Sequence, residues 1–190
     1  MDDRQKQLYF QDRNRCVQYV NTCQLKTPAE VAQLFEDFTR TLWDFKLVGR
    51  IHDFYCDNIT IHREGGNALK GSVDVVNDTL QFMAAFPDLK LKFIDIFAEG
   101  DEEHGYSFGQ AIYFDGTNTG YSKFGPPTGK KLCEHGLCLG LCECRVEKVD
   151  GRWKIVEEWV TRSSELIDGT MMADVPDHSA SSTTEEGAIC

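Results

Sequence analysis

The stretch GTNTGYSKFGPPTGKK (116–131) decides how the chain is interpreted, because its glycines and final lysine pair first suggest a phosphate-binding loop. A P-loop has four residues between its glycines and a lysine followed by Ser or Thr. Here Gly125 and Gly129 enclose three residues, two of them proline, and Lys130 is followed by a second lysine. Proline has no N–H to offer to a phosphate. Because Asn, Gly and Pro are turn formers, the stretch instead predicts an ordered connection between strands.

Helical patterns lie ahead of this connection. The run TPAE (27–30) has the form of a capping box with proline at the first helical position, so a helix should begin there. Apolar residues then recur at helical spacing as far as Gly49, which suits the position just beyond a helix end. Residues 8–25 and 72–86 also have helical patterns, and Pro87 ends the second of them.

Strand patterns follow the helices. In FYCDNITIHR (54–63) the isoleucines alternate with polar residues, which is typical of a half-buried strand and places His62 on the face away from the isoleucines. Longer strand-like segments cover residues 89–98, 104–117, 131–149 and 153–161, and Asp150-Gly151 predicts a hairpin between the last two. Helices followed by a run of antiparallel strands indicate an α+β fold, with a curved sheet and helices packed on one face.

These patterns divide the chain into three segments. We expect residues 1–26 to form an N-terminal helical extension, residues 27–166 to form the main domain, and residues 167–190 to form a tail. The tail has few large apolar residues and is rich in Ser, Thr, Asp and Glu, so we expect it to be flexible.

Composition and charge exclude several classes of function. The 190 residues carry a net charge of −11, which argues against binding to nucleic acid or to an anionic membrane. No apolar run approaches the roughly 18 residues of a transmembrane helix, and MDDRQKQLYFQDRNR (1–15) lacks the apolar core of a signal peptide. We therefore expect a soluble, cytoplasmic protein whose eight cysteines are reduced thiols.

Four sequence elements occur in an order that resembles a known family. They are Gly71, AFPDL (85–89), GTNTGYSKFGPPTGKK (116–131) and DGRWKIVEEW (150–159), and the resemblance covers roughly residues 28–165. This order is similar to that of the SnoaL-like polyketide cyclase family in the nuclear transport factor 2-like superfamily. The resemblance implies a cone-shaped α+β barrel, in which N-terminal helices and a curved antiparallel sheet enclose an apolar pocket. It also implies a homodimer formed through the outer face of the sheet.

The resemblance directs attention to the last strand, where family enzymes use a carboxylate near a tryptophan as acid and base. Matching IVEEW (155–159) to the family pattern puts Glu157 on the recurrent glutamate, while the favoured acidic position after the tryptophan is Val160 here. Glu158 is the nearest replacement, on the same strand face as Val160 and beside apolar residues that would raise its pKa if that face is buried. The alternative is that both glutamates are solvated or pair with nearby basic residues.

Two histidines are further catalytic candidates. His62 on the first strand and His135 in the cysteine-rich segment would serve as base, as donor or as a hydrogen-bonding partner of a substrate. For His135 the strand face stays open, because its odd-numbered neighbours are leucines and its even-numbered neighbours include cysteines. The alternative for each histidine is a purely structural role.

The cysteines around His135 raise the question of a zinc site. They are Cys133, Cys138, Cys142 and Cys144. No C-x-x-C pair is present, and Cys142 and Cys144 offer only two thiols on one strand face, so a closed tetrahedral site would need distant help. We therefore predict no metal and no cofactor, and we interpret the thiols as small core residues.

Four side chains with polar edges are candidates for binding an apolar ligand, namely Trp43, Tyr55, Tyr106 and Gln110. Together with the resemblance, they favour a cofactor-independent isomerase or lyase that applies acid/base chemistry to an apolar oxygenated molecule such as a polyketide or terpenoid. Cyclisation, isomerisation, dehydration and hydrolysis all stay open. The alternatives are a non-catalytic ligand-binding or dimerisation module of the same fold, or a subunit that presents its sheet face to a larger partner.

Overall fold

The computed structural model describes residues 1–134 and 136–174. Within them, a six-stranded sheet packs on one side against helices. The elements are α1 (Asp3–Thr22), α2 (Pro28–Trp43), α3 (Ile51–Phe54), β1 (Tyr55–Arg63), β2 (Ala68–Lys70), α4 (Ser72–Ala85), β3 (Lys90–Asp101), β4 (Gly105–Asp115), β5 (Cys138–Val149), β6 (Arg152–Arg162) and α5 (Ser164–Met171), with short 3₁₀ turns at Val48–Arg50 and Glu64–Gly66. None of the helices in these ranges combines the length and the hydrophobicity that a membrane crossing requires.

Helix α2 begins where the capping box predicts. The Thr27 hydroxyl accepts a hydrogen bond from the Glu30 amide at 3.3 Å, and the Glu30 carboxylate accepts one from the Thr27 amide at 3.0 Å. The helix ends at Trp43, earlier than the predicted end at Gly49, and Lys46 then takes a left-handed φ of 59° that a helix does not accommodate. One stripe of α2 is buried, and its apolar members include Val31, Leu34, Phe35, Phe38 and Leu42.

The sheet confirms the predicted α+β fold and differs from the prediction in two respects. Its strand order is β2-β1-β6-β5-β4-β3, and all neighbours are antiparallel except β1 and β6, which are parallel. A parallel pair needs a long crossover, and the chain between β1 and β6 supplies it with α4 and four strands. The sheet is also open, with β2 and β3 at its edges, so it does not close into a barrel.

The two faces of the sheet have different surroundings. In β5 the even-numbered Cys144 is buried against the helices, whereas Leu139 and Leu141 are exposed on the outer face. The even-numbered residues at the start of β5 therefore face the helices, and the odd-numbered leucines face outward. The β5–β6 hairpin turns at Asp150 and Gly151, whose φ values of 50° and 74° are those of the predicted two-residue turn.

The stretch 116–131 is an ordered connection anchored by Asn118. The side chain of Asn118 is fully buried and donates hydrogen bonds to the carbonyl oxygens of Ala85 at 2.9 Å and Gly120 at 3.1 Å. Its Oδ1 accepts a hydrogen bond from the Thr128 amide at 2.9 Å and lies 3.0 Å from the Thr128 hydroxyl oxygen. Both N–H groups and the oxygen of the amide therefore have buried partners. Asn118 thus ties this loop to the end of α4.

Helix α1, which corresponds to the predicted N-terminal extension, packs along α2. The Arg15 guanidinium donates to both oxygens of the fully buried Asp37 carboxylate, at 3.0 and 2.9 Å. The Cys16 thiol donates to the same carboxylate at 3.2 Å. Burial raises the pKa of Cys16 to about 12, so the thiol keeps the proton that it donates. The extension is therefore docked on the domain by a charged and hydrogen-bonded contact.

Residues 167–171, which the sequence assigned to the tail, belong to helix α5. Helix α5 includes Ile167 and Met171, and both side chains are buried against the core. The backbone carbonyl of Thr170 also accepts a hydrogen bond from the Thr128 hydroxyl at 2.7 Å. A helix of two turns with so few apolar residues gives little periodic signal in the sequence. Residues 175–190 lie outside the described part of the chain.

We expect Asn118→Ala to destabilise the fold by about 2–4 kcal/mol. The substitution leaves the Ala85 carbonyl and the Thr128 amide without their buried partner. Urea unfolding followed by circular dichroism checks this value. Thr119→Ala at the exposed neighbouring position is the control and should change the free energy of unfolding by less than about 0.5 kcal/mol. Equal stability of the two variants would contradict the anchoring role of Asn118.

Candidate active site

A small cavity of about 70 Å³ lies between the inner face of the sheet and helices α2 and α4. Its polar and reactive lining consists of Thr39, Tyr55, Thr79, Gln110, Cys142, Cys144 and Glu158, together with the charged Arg63, Asp78 and Arg162. Much of the remaining wall is apolar and includes Phe38, Leu42, Trp43, Phe108 and Ile112. The cavity therefore combines a mostly apolar wall with a few convergent polar groups, which is the usual composition of a small-molecule site.

Glu158 projects from β6 into this cavity. Its side chain is 7% exposed, and its Oε2 accepts a hydrogen bond from the Tyr55 hydroxyl at 2.9 Å. Burial raises the pKa of the Glu158 carboxyl above its ordinary value, while the Tyr55 hydrogen bond and the charges of Arg162 and Arg63 oppose the rise. Glu158 is not a solvated edge residue. The upward shift of its pKa is in the direction that a carboxyl group needs if it is to accept and return protons.

A β-bulge in β6 turns Glu158 toward the cavity. Ile155 and Glu157 pair with consecutive residues of β5, so Val156 is an extra residue in the ladder. Strict alternation from the buried Ile155 would place Glu157 inside and Glu158 outside. The bulge reverses this order, because it re-aims the side chains that follow it. The sequence pattern alone contains no signal for such an extra residue.

Three of the four predicted ligand-binding residues share the cavity with Glu158. Gln110 donates from Nε2 to a backbone carbonyl of α2 at 3.1 Å, and its Oε1 accepts from the Thr39 hydroxyl at 3.1 Å, so its amide is held in one orientation. Burial raises the pKa of the Tyr55 hydroxyl well above its ordinary value, which keeps this group a hydrogen-bond donor. Trp43 contributes an apolar part of the wall.

Tyr106 lies elsewhere, although sequence reasoning grouped it with these residues. Its side chain is buried on β4 and packs against the Trp153 ring, with 5.1 Å between the ring centroids, away from the lining of the cavity. Tyr106 and Gln110 share one face of β4, but they are four positions apart, which is two repeats of the strand. Face alone therefore does not determine which part of the core a side chain reaches.

His62 lies on the predicted strand face, away from the isoleucines, but this face is on the opposite side of the sheet from the cavity, so His62 is not part of the site around Glu158. His62 lies on the outer face of the sheet, where its Nε2 is 2.9 Å from a carboxylate oxygen of Glu157 and its ring stacks on Trp159. The alternation of β1 turns Ile61 toward the core, so the adjacent histidine points the other way. His62 and Glu158 are thus on opposite sides of the sheet. The second predicted histidine, His135, lies outside the described residues.

Two arginines and an aspartate separate the cavity from an outer groove of about 600 Å³. In this arginine cluster, Arg63 donates from Nη1 to Oδ1 of Asp78 at 2.9 Å, and Nη1 of Arg162 lies 3.5 Å from Oδ2 of Asp78. The Arg162 guanidinium also lies 5.7 Å from the centroid of the Trp43 ring. Burial would raise the pKa of Asp78, but both arginines hold it below its ordinary value. Sequence reasoning missed this cluster, since its members are far apart in the chain.

Two cysteines extend from β5 into the same cavity. The register places Cys144 opposite Glu158, and the sulfur atoms of Cys142 and Cys144 and a carboxylate oxygen of Glu158 lie within 4.8 Å of one another. Burial raises the pKa of Cys144 well above its ordinary value, so its thiol is protonated in this arrangement. Within the described part of the chain, these three residues form a cluster whose side chains are of the types that bind metal ions.

The outer face of the sheet carries exposed apolar side chains, which we call the outer apolar patch. Its members are Ile94, Phe97, Leu139, Leu141 and Trp159. Phe97 packs closely on β4, because a Cβ on Gly109 would lie 2.4 Å from the phenylalanine ring. Phe97, Leu141 and Trp159 line one shallow hollow together. A connected patch of this kind is more typical of an interface than of free surface.

No protein-family model and no curated protein matches this sequence. Solved structures do match it. The "putative SnoaL-like polyketide cyclase" from Jannaschia sp. CCS1 is 13% identical with a TM-score of 0.52, over 72% of this chain and 90% of that one. The "putative polyketide cyclase" from Bacillus cereus is 17% identical with a TM-score of 0.54, over 75% and 82%. AclR, a "putative hydroxylase" from Streptomyces galilaeus, is 26% identical with a TM-score of 0.53, over 69% and 86%. The chain therefore has the fold of the SnoaL-like polyketide cyclases, as the sequence resemblance implies.

We expect Glu158→Gln to become more stable, relative to the wild type, as the pH rises from 5 to 8. The raised pKa means that the folded state binds more protons than the unfolded state above the ordinary range of Glu, so stability falls as the pH rises through the folded pKa. Glutamine does not titrate and still accepts the Tyr55 hydrogen bond. Thermal unfolding at several pH values measures the difference, and about 2–4 °C in Tm corresponds to 1 kcal/mol at this chain length.

The control for this measurement is Glu143→Gln, which replaces an exposed glutamate on β5. The difference in Tm between this variant and the wild type should stay constant over the same pH range. If the Tm of Glu158→Gln minus that of the wild type is independent of pH, or falls as the pH rises, burial does not raise the pKa of Glu158 in the folded protein.

Proposed function

We propose that this protein is a small-molecule enzyme of the SnoaL-like type that acts as an isomerase or lyase by acid/base chemistry without a cofactor. The observation that carries the proposal is a buried carboxyl group, that of Glu158, which is hydrogen-bonded to Tyr55 at the wall of an interior cavity. The names of similar structures, polyketide cyclases and a hydroxylase, support an apolar oxygenated substrate such as a polyketide or a terpenoid.

Proton transfer in this site needs two groups with different tasks. The ionised Glu158 removes a proton from a carbon atom beside a carbonyl group, and the protonated Glu158 returns it to another position of the same molecule. The enolate that forms between these steps needs a hydrogen-bond donor at its oxygen. Tyr55 is placed for this task, since its hydroxyl lies 2.9 Å from Glu158 and burial keeps it protonated. The positive charge of Arg162 favours the ionised form of Glu158, which is the form that removes the proton.

The size of the cavity limits how a substrate reaches Glu158. A volume of about 70 Å³ is smaller than the roughly 300–1,000 Å³ of typical ligand pockets. The outer groove of about 600 Å³ lies on the other side of the arginine cluster and is lined by Phe82, Ile167 and Met171 among others. Separation of Arg63 from Asp78 would join the two spaces. We therefore propose that the apolar part of the substrate occupies the groove and that its oxygen atoms meet the arginines.

The test of the catalytic assignment is exchange of substrate protons for deuterium. Aromatic polyketide-like ketones and terpenoid ketones are incubated with the protein in deuterium oxide, and loss of the signal of the proton beside the carbonyl is followed by NMR. Glu158→Gln should bind the same ketones, as measured by thermal shift, and should lower the exchange rate by about 100-fold or more. The carboxamide of glutamine has nearly the same size as the carboxyl group and still accepts the Tyr55 hydrogen bond. The variant therefore separates the effect on proton exchange from any effect on ligand binding.

The matched control is Glu157→Gln, on the outer face of the same strand, where Glu157 contacts His62 and Arg145. This variant should retain the wild-type exchange rate. Exchange that is equal in wild type and Glu158→Gln would remove Glu158 from the mechanism. If the wild type binds ketones and exchanges none of their protons, the protein is a ligand-binding module of the same fold.

The outer apolar patch favours a second role, formation of a homodimer through the sheet face. The patch lies on the opposite side of the sheet from the cavity, so a second copy would cover it without blocking the groove or the arginine cluster. The exposed apolar side chains would become the centre of the interface, and the half-exposed His62 and Glu157 would lie beside them. This role is compatible with catalysis and also with a non-catalytic dimerisation module.

We expect the wild type to have the mass of a dimer in solution and Leu141→Lys to have that of a monomer. A lysine in the centre of an apolar interface would have to lose its hydration, which disfavours association. Light scattering coupled to size-exclusion chromatography measures the mass. Leu80→Lys is the control, because Leu80 is 49% exposed like Leu141 but lies on α4. Equal masses for the wild type and Leu141→Lys would exclude the sheet face as the interface.

A further inference from the structure

Cys142, Cys144 and Glu158 form a group of side chains that acid/base chemistry does not fully use. The two cysteines are two residues apart on β5 and therefore share its inner face, and the register of β5 with β6 brings Glu158 opposite Cys144. Their ligand atoms lie within 4.8 Å of one another. The Glu158 carboxylate, from a different strand, thus supplies a third ligand in addition to the two thiols. Thiolate and carboxylate are both ligands of zinc in proteins.

We propose that Cys142, Cys144 and Glu158 bind one thiophilic divalent cation, with zinc as the ion that fits best. Zinc lies about 2.3 Å from a thiolate sulfur and about 2.0–2.2 Å from a carboxylate oxygen, so tetrahedral ligand atoms are roughly 3.5 Å apart. Since the ligand atoms lie within 4.8 Å of one another, they need to close by at most about 1.3 Å to reach this spacing. Rotation about their side-chain bonds supplies such a change. Two sulfur ligands favour zinc over magnesium or calcium, which prefer oxygen.

A neighbouring group already orients one of the proposed ligands. Tyr55 donates its hydroxyl proton to Oε2 of Glu158 at 2.9 Å, so Oε1 is available for the ion. Such outer contacts hold metal ligands in position and tune their affinity. The Cys142 thiol donates to Oε1 of Gln110 at 4.0 Å, and this contact is lost when the thiol ionises to bind the ion. The site is therefore built on two hydrogen-bonded strands, with support from Tyr55 on β1.

Cation binding requires both thiols and the carboxyl group to lose their protons. Two thiolates and one carboxylate carry three negative charges, and a divalent cation reduces this to one. The positive charges of Arg162 and Arg63 act on Glu158 and oppose the remaining negative charge. A packing role alone explains the three side chains poorly, because apolar residues of similar size fill an interior without the cost of burying a carboxyl group.

The proposed ion has a fourth position that faces the cavity. The cavity of about 70 Å³ is large enough for water molecules, so water would complete a tetrahedral coordination. A Glu158 that binds the ion is no longer free to accept a proton. Zinc is thus expected to inhibit the exchange reaction, and this consequence rests on the proposed function. Metal binding itself does not depend on it.

Cobalt titration of the full chain tests the binding site. The protein is reduced, stripped with a chelator and titrated with cobalt(II) alone, and we expect a thiolate-to-cobalt band in the near ultraviolet that saturates at one ion per chain. Zinc should abolish the band by displacement, and magnesium should leave it unchanged. Absence of the band in the wild type, or equal displacement by magnesium, would overturn the proposal. This measurement on the wild type does not depend on any variant folding.

Zinc affinity of variants then assigns the ligands. Loss of an outer partner alone lowers metal affinity by about 10- to 100-fold, so Cys142→Ser and Cys144→Ser should each lower it by at least about 100-fold. Cys133→Ser, on the connection before β5, is the matched control and should keep the wild-type affinity. Unchanged affinity in Cys142→Ser or Cys144→Ser would overturn the site.

The two proposals fail in different ways. Zinc that binds at one ion per chain through Cys142 and Cys144 and lowers the exchange rate supports both of them. Exchange that depends on Glu158 in a protein without a cobalt band overturns the metal site alone. A cobalt band together with an exchange rate that is independent of Glu158 overturns the acid/base assignment and leaves the metal site.

Discussion

The site depends on one constraint, the placement of a carboxyl group inside an apolar core. Such a group is costly to bury unless hydrogen bonds or opposite charges stabilise it. Glu158 has one hydrogen bond from Tyr55 and is influenced by the charges of the arginine cluster. A core built for stability alone would carry an apolar residue here. The presence of Glu158 at this position instead indicates a functional site, because a residue that costs stability is retained there.

Strand register determines which of two adjacent glutamates meets this constraint. Glu157 contacts His62 and Arg145 on the outer face, whereas Glu158 contacts Tyr55 on the inner face. The tight turn between β5 and β6 fixes the start of their pairing, and the bulge then shifts it by one residue. Without this shift the carboxyl group of Glu157 would face the cavity. Glu158 would then not lie beside Cys142 and Cys144.

The sequence predicts the elements of the fold better than it predicts the site. The capping box of α2 and the turn between β5 and β6 depend on residues that are neighbours in the chain, so their patterns are visible in the sequence. Glu158 could be selected because it follows a recognisable strand motif. The bulge at Val156 and the arginine cluster could not, because they exist only when separate elements pack together. The strand face of His62, by contrast, could be predicted, because the alternation of β1 already placed it away from the buried isoleucines.

The two proposed uses of the cavity require different behaviour from the same carboxyl group. Proton transfer needs Glu158 to gain and lose a proton, whereas a bound cation needs it to stay ionised. Burial favours the protonated form, and the charges of Arg162 and Arg63 favour the ionised form. The same arginines separate the cavity from the outer groove. Movement of the arginines away from Glu158 during substrate entry would therefore open the path and raise the proton affinity of the carboxyl group in one step, so that access and acidity are coupled.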